Sequence, residues 1–183
     1  MNYRELLEAA KRDPAGADYH TLRRVYARSD EYNPYSADAE NVNALRGALQ
    51  ADDLDAALAA IDALLAANYL DIEAHMAADY IHLRRNEADQ SAYHRAFAQG
   101  LIDAILATGS GRDFATAFIA LSVPEEYVAL RMLGLAPAGQ RLVEHEGHSF
   151  DILTARHPES GQTVELYFNI DLPRRWLGDH LGE

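Results

Sequence analysis

The fold is decided by residues 53–65, which read DLDAALAAIDALL. Apolar side chains recur there at the spacing of one helix face, and they are Leu54, Ala57, Leu58, Ile61, Leu64 and Leu65. An aspartate at position 52 or 53 can cap the first turn by accepting a hydrogen bond from a free backbone N–H. The stretch therefore predicts an amphipathic helix that buries Leu58, Ile61 and Leu65 at a helix–helix contact.

Three more helices are predicted before this stretch. Helical periodicity covers residues 2–12 and stops before the Asp13-Pro14 pair. Asp18 can cap a second helix, and a third is expected over residues 37–50. A loop rich in aromatic residues separates the second helix from the third.

Two more helices are predicted after it. The first runs from about Asp71 to Arg85, and its apolar stripe consists of Ile72, Met76, Tyr80 and Leu83. The second ends near Gly109. Helices joined by short turns, with alanines at the contacts, are typical of tetratricopeptide-like hairpins, but the ~34-residue period of that repeat is only loosely matched. We therefore expect packed helical hairpins and make no claim of a repeat array.

The periodicity changes after Gly111. A short apolar run over residues 117–123 predicts a buried strand, and Pro124 then suits the first turn of a helix that ends at Gly134. Three alternating segments predict further strands, at residues 140–144, 149–156 and 163–170. The expected product is a small antiparallel β-sheet with one helix.

The length and composition suit one domain. The chain has 183 residues, of which 49% are hydrophobic and 25% are charged, a normal balance for a globular protein. The expected fold class is α+β. We expect a single domain over residues 1–183, in which a helical part at 1–108 packs against an α/β part at 109–183.

The net charge of −13 and the lack of cysteine disfavour several kinds of site and partner. Without cysteine the chain can form neither disulfides nor thiolate metal sites. The excess of acid disfavours nucleic acid and anionic membranes as partners and favours a basic protein. The first residues do not form a secretory signal, and no stretch reaches the ~20 apolar residues of a spanning helix, so the expected location is cytoplasmic.

Four separated segments resemble the signatures of a bacterial protein family. They read YNPYS at 32–36, NYLDIEAH at 68–75, TAF at 116–118 with EEY at 125–127, and YFNID at 167–171. In this order they are similar to the bacterial domain of unknown function family 4919. The resemblance covers nearly the whole chain. It implies a bacterial source and a shared fold, and it implies no activity.

A stripe of acidic and imidazole side chains is the sharpest candidate for chemistry. Asp71, His75, Asp79 and His82 lie at i, i+4, i+8 and i+11, on one side of a predicted helix. His94 can approach this stripe from the following antiparallel helix. Carboxylates and imidazoles on one face could hold a divalent metal ion. The alternative, which we weigh more heavily, is that these groups form hydrogen bonds within a helix packed between its neighbours.

The loop with Tyr32, Asn33 and Tyr35 is the candidate binding surface. Pro34 fixes its own φ and restricts the preceding residue, which makes the loop rigid. Tyrosines offer a large contact area with a polar end, as at recognition surfaces. The alternative is that both rings fold over the helices and find internal partners.

No catalytic motif is recognisable, so no catalytic residues are assigned. The HEGH segment at 145–148 has its histidines three apart around a turn, which fails the spacing of helical zinc proteases. The favoured function is a non-catalytic bacterial protein-interaction module without a cofactor, in the form of an immunity-type inhibitor or accessory partner of a basic protein. The alternative is a metal-dependent hydrolase or ligand-binding protein that uses the Asp71/His75/Asp79/His82 stripe.

Overall fold

The computed structural model describes residues 1–35 and 39–181, and within them the chain forms eight helices and a four-stranded sheet. The α+β fold class is confirmed. The chain divides into two compact units, Met1–Leu101 and Ile102–Glu183, called here the helical unit and the sheet unit. The division falls inside a helix, a few residues before the expected limit at residue 108.

Six helices begin in the helical unit: α1 (Tyr3–Arg12), α2 (Tyr19–Tyr26), α3 (Ala39–Gln50), α4 (Leu54–Ala67), α5 (Ile72–Arg84) and α6 (Ala88–Leu106). Four of them begin at a capping side chain that accepts a hydrogen bond from a backbone N–H of the first turn, and these caps are Asn2, Asp18, Asp53 and Asp71. Each such cap stabilises its helix by about 1 kcal/mol. The expected start of α3 at residue 37 lies outside the described residues.

The core of the helical unit lies around α4. Its buried side chains include Ala57, Ile61, Leu64 and Leu65 from α4 with Ala74, Ala78 and Ile81 from α5. The prediction for Ile61 and Leu65 is confirmed, since they are 1% and 7% exposed. Leu58 is partly buried and packs against the same cluster.

The predicted apolar stripe of α5 is wrong in its second half: Ile72 is 4% exposed as expected, but Tyr80 and Leu83 are not buried. Tyr80 and Leu83 are 52% and 58% exposed, whereas His75, Ala78 and Ile81 are fully buried. Ala74, Ala78 and Ile81 instead pack in the core cluster with Ala57, Ile61, Leu64 and Leu65 of α4. Tyr80 and Leu83 therefore lie on the solvent side of α5.

The sheet unit contains β1 (Phe118–Ile119), α7 (Val123–Met132), β2 (Ala136–His145), β3 (His148–Arg156), β4 (Thr163–Asn169) and α8 (Asp171–Leu181). The strand order is β1-β4-β3-β2. Strands β2, β3 and β4 are antiparallel as expected, while β1 pairs parallel with β4, so the sheet is mixed. The expected strand at 117–123 shortens to two residues because α7 begins at Val123.

A tight hairpin joins β2 to β3 through Glu146 and Gly147, which both have positive φ. That conformation matches a two-residue turn whose twist suits antiparallel strands. Strand β3 is central, and Phe150, Ile152 and Leu153 are buried on it. Among the described residues, no helix combines the length and the apolar character needed to cross a bilayer.

Candidate functional site

A cleft of about 620 Å³ opens in the helical unit. We call it the tyrosine cleft. Its aromatic lining consists of Tyr3, Tyr26, Tyr69 and Tyr93. Its polar and charged lining consists of Lys11, Glu31, Asp62, Asn68, Gln90 and His94. The side chains come from α1, α2, the end of α4 and the first half of α6, together with the turns that follow α2 and α4.

Two tyrosines make one wall of the cleft. The hydroxyl oxygens of Tyr69 and Tyr93 lie 2.7 Å apart and share a hydrogen bond. The Lys11 ammonium lies 4.3 Å from the centre of the Tyr69 ring, a cation–π contact, and it also donates to Glu8 over 3.0 Å. Burial, and next the hydrogen bond with Tyr93, raises the pKa of Tyr69 above its ordinary value. Its phenol therefore stays neutral at physiological pH.

A pair of histidines lies beside these tyrosines. His75 Nδ1 and His94 Nδ1 are 2.9 Å apart, and His75 Nε2 lies 2.9 Å from the carbonyl oxygen of Tyr69. Because a carbonyl only accepts, His75 carries its proton on Nε2 and accepts at Nδ1. His94 must then donate from Nδ1, which leaves its Nε2 as an acceptor. The pair thus has one consistent tautomer assignment.

Both histidines are held neutral. Burial lowers the pKa of His75 to about 4, and the neighbouring His94 adds to that effect. Burial also lowers the pKa of His94 to about 4, with His82 as the next cause. His75 stacks on Phe97 with ring centres 4.6 Å apart, which fixes its plane. The pair is therefore uncharged above about pH 5, where neutral imidazoles prevail.

The remaining members of the predicted metal stripe have separate partners. Asp71 caps α5 by accepting from the Ala74 N–H over 3.0 Å. Asp79 accepts from the Ser91 hydroxyl over 2.6 Å and from the Arg95 guanidinium over 3.0 Å.

His82 stacks on His94 at 5.4 Å between ring centres, and its Nδ1 lies 2.5 Å from a Glu87 carboxylate oxygen. The expected approach of His94 to α5 is confirmed. Within the described ranges, no group of three or more His, Asp and Glu side chains is arranged to hold a metal ion. The four side chains of the stripe thus form hydrogen bonds with partners outside the stripe, and the partners of Asp79 lie on α6.

The hydrogen-bond partners of Asp79 change the pKa of its carboxyl group. Partial burial alone would raise its pKa, but hydrogen bonds from Arg95 and Ser91 outweigh that effect and lower it. A carboxylate that is already bound by a guanidinium and a hydroxyl has little capacity left for another ligand.

The candidate binding loop presents only part of its expected surface. Tyr32 is 7% exposed, and its ring meets Tyr26 edge-on at 5.4 Å. Tyr35 is 48% exposed. Asn33 Oδ1 accepts from the Tyr35 N–H over 2.9 Å, which closes a small turn. The expectation that the loop displays both tyrosines is corrected, because burying the Tyr32 ring against another aromatic ring is more favourable than hydrating it.

The comparisons with known proteins name a family. A model for the domain of unknown function DUF4919 matches residues 1–176. The chain belongs to this family. The match confirms the resemblance seen in the four sequence segments, and it spans the tyrosine cleft and most of the sheet unit. No curated protein and no solved structure matches the chain.

The tyrosine cleft itself was not predicted from the sequence. Tyr69 lies in one of the four family-like segments, but its partner Tyr93 is 24 residues away on another helix. Lys11 comes from α1, far from both tyrosines in the sequence. Only the tertiary packing of α1, α4 and α6 brings these side chains together, and no local spacing encodes that contact.

Proposed function

We propose that the protein is a non-catalytic binding module whose tyrosine cleft takes a basic segment of a protein partner. The observation that carries the proposal is an uncompensated carboxylate beside aromatic rings. Lys11 is paired with Glu8 and Glu31 with Arg4. Asp62 forms no ion pair with any described residue and lies on the rim of the cleft. A cation is the complementary ligand.

The aromatic lining supports the same choice. Tyrosine faces attract ammonium and guanidinium groups within about 6 Å of the ring centre. The Lys11 ammonium makes a contact of this kind with the Tyr69 ring on one wall of the cleft. The net charge of −13 would also raise the rate of association with a basic partner and make that rate fall with salt. An immunity-type inhibitor or accessory partner of a basic protein is one concrete form of this role.

The lining groups are poorly suited to acid–base catalysis. A general base works best when its pKa lies near the operating pH. His94 has a pKa of about 4 and is nearly all neutral but weakly basic at pH 7. The raised pKa of Tyr69 makes its phenol a weak acid. These two groups therefore favour binding over proton transfer.

Short peptides test the proposal directly. The full chain would be titrated with hexa-arginine and hexa-glutamate, and binding followed by backbone amide NMR shifts and calorimetry. We expect hexa-arginine to shift the amides of Asp62, Gln90 and Tyr93, and hexa-glutamate to leave them unchanged. Asp62→Asn should weaken hexa-arginine binding by about 1 kcal/mol, roughly fivefold.

The control is Glu159→Gln, which removes one exposed carboxylate from a turn of the sheet unit, outside the cleft lining. It should leave the affinity within about twofold of the parent chain, because it lowers the net negative charge by the same amount without changing a group of the cleft. Equal weakening by both substitutions would show that general charge, and not the cleft, attracts the peptide. Shifts that avoid the cleft would reject the proposal outright.

A further inference from the structure

We propose that a cavity in the sheet unit binds the phosphate group of a small molecule. The cavity has a volume of about 530 Å³ and lies between the β2–β3 turn and α8. Its chemistry comes from His148, Asp171, Arg174 and Arg175. This site is separate from the tyrosine cleft and does not depend on the function proposed for it.

The acidic group in the cavity is fully engaged by the protein itself. Asp171 Oδ1 accepts from the Ser149 N–H over 2.8 Å. Asp171 Oδ2 lies 2.6 Å from His148 Nδ1 and accepts from the Asn169 amide over 3.2 Å. Burial alone would raise the pKa of Asp171, but the hydrogen bonds from Ser149 and His148 lower it, so the carboxylate is ionised. Both carboxylate oxygens of Asp171 therefore accept hydrogen bonds from the protein, and they orient His148 and Asn169.

The groups that remain for a ligand are cationic. Neither Arg174 nor Arg175 forms an ion pair with a described residue, and both side chains are exposed at the cavity. Arg174 influences Asp151 electrostatically, but the Asp151 carboxylate accepts from the Gln140 amide over 2.8 Å. The Ser149 hydroxyl donates its hydrogen to Glu144 over 2.8 Å, so this hydrogen is not available to a ligand. Two free guanidiniums facing one cavity call for an anion.

His148 selects phosphate over carboxylate. Because the ionised Asp171 can only accept, His148 Nδ1 carries a proton and its Nε2 is the acceptor in the neutral ring. A phosphate monoester has its second pKa near 6, so its monoanion carries a proton that it can donate to Nε2. A carboxylate at neutral pH has no proton to offer. Guanidiniums match phosphate oxygens in addition through paired N–H groups.

Inorganic phosphate is the probe for the first experiment. The full chain would be titrated with phosphate at constant ionic strength, and amide NMR shifts followed, with acetate and chloride as parallel titrants. We expect phosphate to shift the amides of Gly147, Ser149 and Leu177 with a dissociation constant of about 1 mM, because so small a ligand makes few contacts. Acetate and chloride should cause no comparable shifts.

Three variants then assign the effect to named groups. Replacing Arg174 and Arg175 together by alanine should weaken phosphate binding at least about tenfold, since two charge-assisted hydrogen-bonding groups are lost. Replacing both by lysine keeps the charge and should weaken it by less. The control Arg156→Ala removes an exposed arginine at the far end of β3 and should leave the affinity unchanged.

Folding of each variant is checked by the spectrum outside the cavity, which should match that of the parent chain. The absence of phosphate-specific shifts in the parent chain would overturn the proposal. So would phosphate binding that survives the double alanine substitution in a folded variant. Equal shifts with acetate would show a general anion site and would refute the role assigned to His148.

Discussion

Glu126 is a buried carboxyl group in the sheet unit. It is 1% exposed, and neither carboxyl oxygen has a hydrogen-bond partner among the described residues. Burial raises its pKa to about 9, and the nearby charges of Asp151 and Glu125 add to that effect. The carboxyl group is therefore protonated at neutral pH, as expected for an unpaired acid in an apolar site.

We predict that Glu126→Gln stabilises the protein at pH 7. In the unfolded chain a glutamate ionises near its ordinary pKa of about 4.3, whereas the folded chain keeps the proton up to about pH 9. Between those values the unfolded state binds fewer protons, so stability falls as pH rises. The neutral amide removes this penalty, which is up to about 4 kcal/mol at pH 7.

Urea unfolding at pH 5, 7 and 8 measures the effect. The gain from Glu126→Gln should grow with pH, and the control Glu159→Gln in an exposed turn should change nothing. A gain that is constant with pH would mean that packing, and not protonation, is responsible.

At the scale of elements, the packing of α5 provides a matched pair of substitutions. Ile61 on α4 is 1% exposed in the core that faces α5, whereas Leu83 on α5 is 58% exposed. Ile61→Ala should destabilise the protein by roughly 2–5 kcal/mol, because it removes buried methyl groups and leaves a cavity. Leu83→Ala should cost less than about 0.5 kcal/mol, since surface changes are usually small.

Urea unfolding of both variants tests the face assignment. A large loss for Leu83→Ala would restore the apolar stripe expected from the sequence. A small loss for Ile61→Ala would place the core elsewhere on α4. Only the combination of a large and a small effect supports the observed orientation of both helices.

Helix positions could be predicted because their signals are local. Asp18, Asp53 and Asp71 mark helix starts by a cap that depends only on neighbouring residues. Helix α8 was missed because Pro173 and Gly178 argue against a helix, although Pro173 lies in the first turn, where proline is tolerated. The buried face of α5 was missed because alanine and histidine are weak markers of burial in a sequence.

For the candidate sites too, contacts between neighbouring elements could be predicted and contacts between distant segments could not. The approach of His94 to α5 could be predicted, since successive helices of a hairpin lie side by side. The contact of Lys11 with Tyr69 could not, because it joins α1 to the turn after α4. The pairing of His148 with Asp171 likewise joins a hairpin turn to a helix that the sequence did not indicate.

At the scale of the whole molecule, the two units carry buried groups that titrate in opposite senses. The helical unit holds His75 and His94 neutral with pKa values of about 4. The sheet unit holds Glu126 neutral with a pKa of about 9. Each group is uncharged in the folded state at neutral pH, but in the unfolded chain the histidines gain a proton below about pH 6.5 and the glutamate loses its proton above about pH 4.3. The pH dependence of stability therefore differs in sign between the units.

The last prediction concerns that difference. From about pH 6.5 down to pH 4 the unfolded chain binds protons that the folded His75 rejects, so the helical unit should lose stability on the order of 3 kcal/mol from this residue. From about pH 4.3 up to pH 9 the unfolded chain releases a proton that Glu126 retains, so the sheet unit should lose stability as pH rises. Between pH 5 and 6.5 the contributions of His75 and Glu126 change the free energy of unfolding in opposite directions. A measurement of global stability would therefore show only their difference.

Native-state hydrogen exchange separates the two terms, because it gives an opening free energy for each amide after correction for the intrinsic rate. On going from pH 6.5 to pH 5, amides of α5 should become less protected and amides of β3 more protected. In the Glu126→Gln variant the β3 response should vanish while the α5 response remains. A change of the same sign and size in both units would show that they open together and would contradict the prediction. A response of β3 that survives Glu126→Gln would assign the proton to another group.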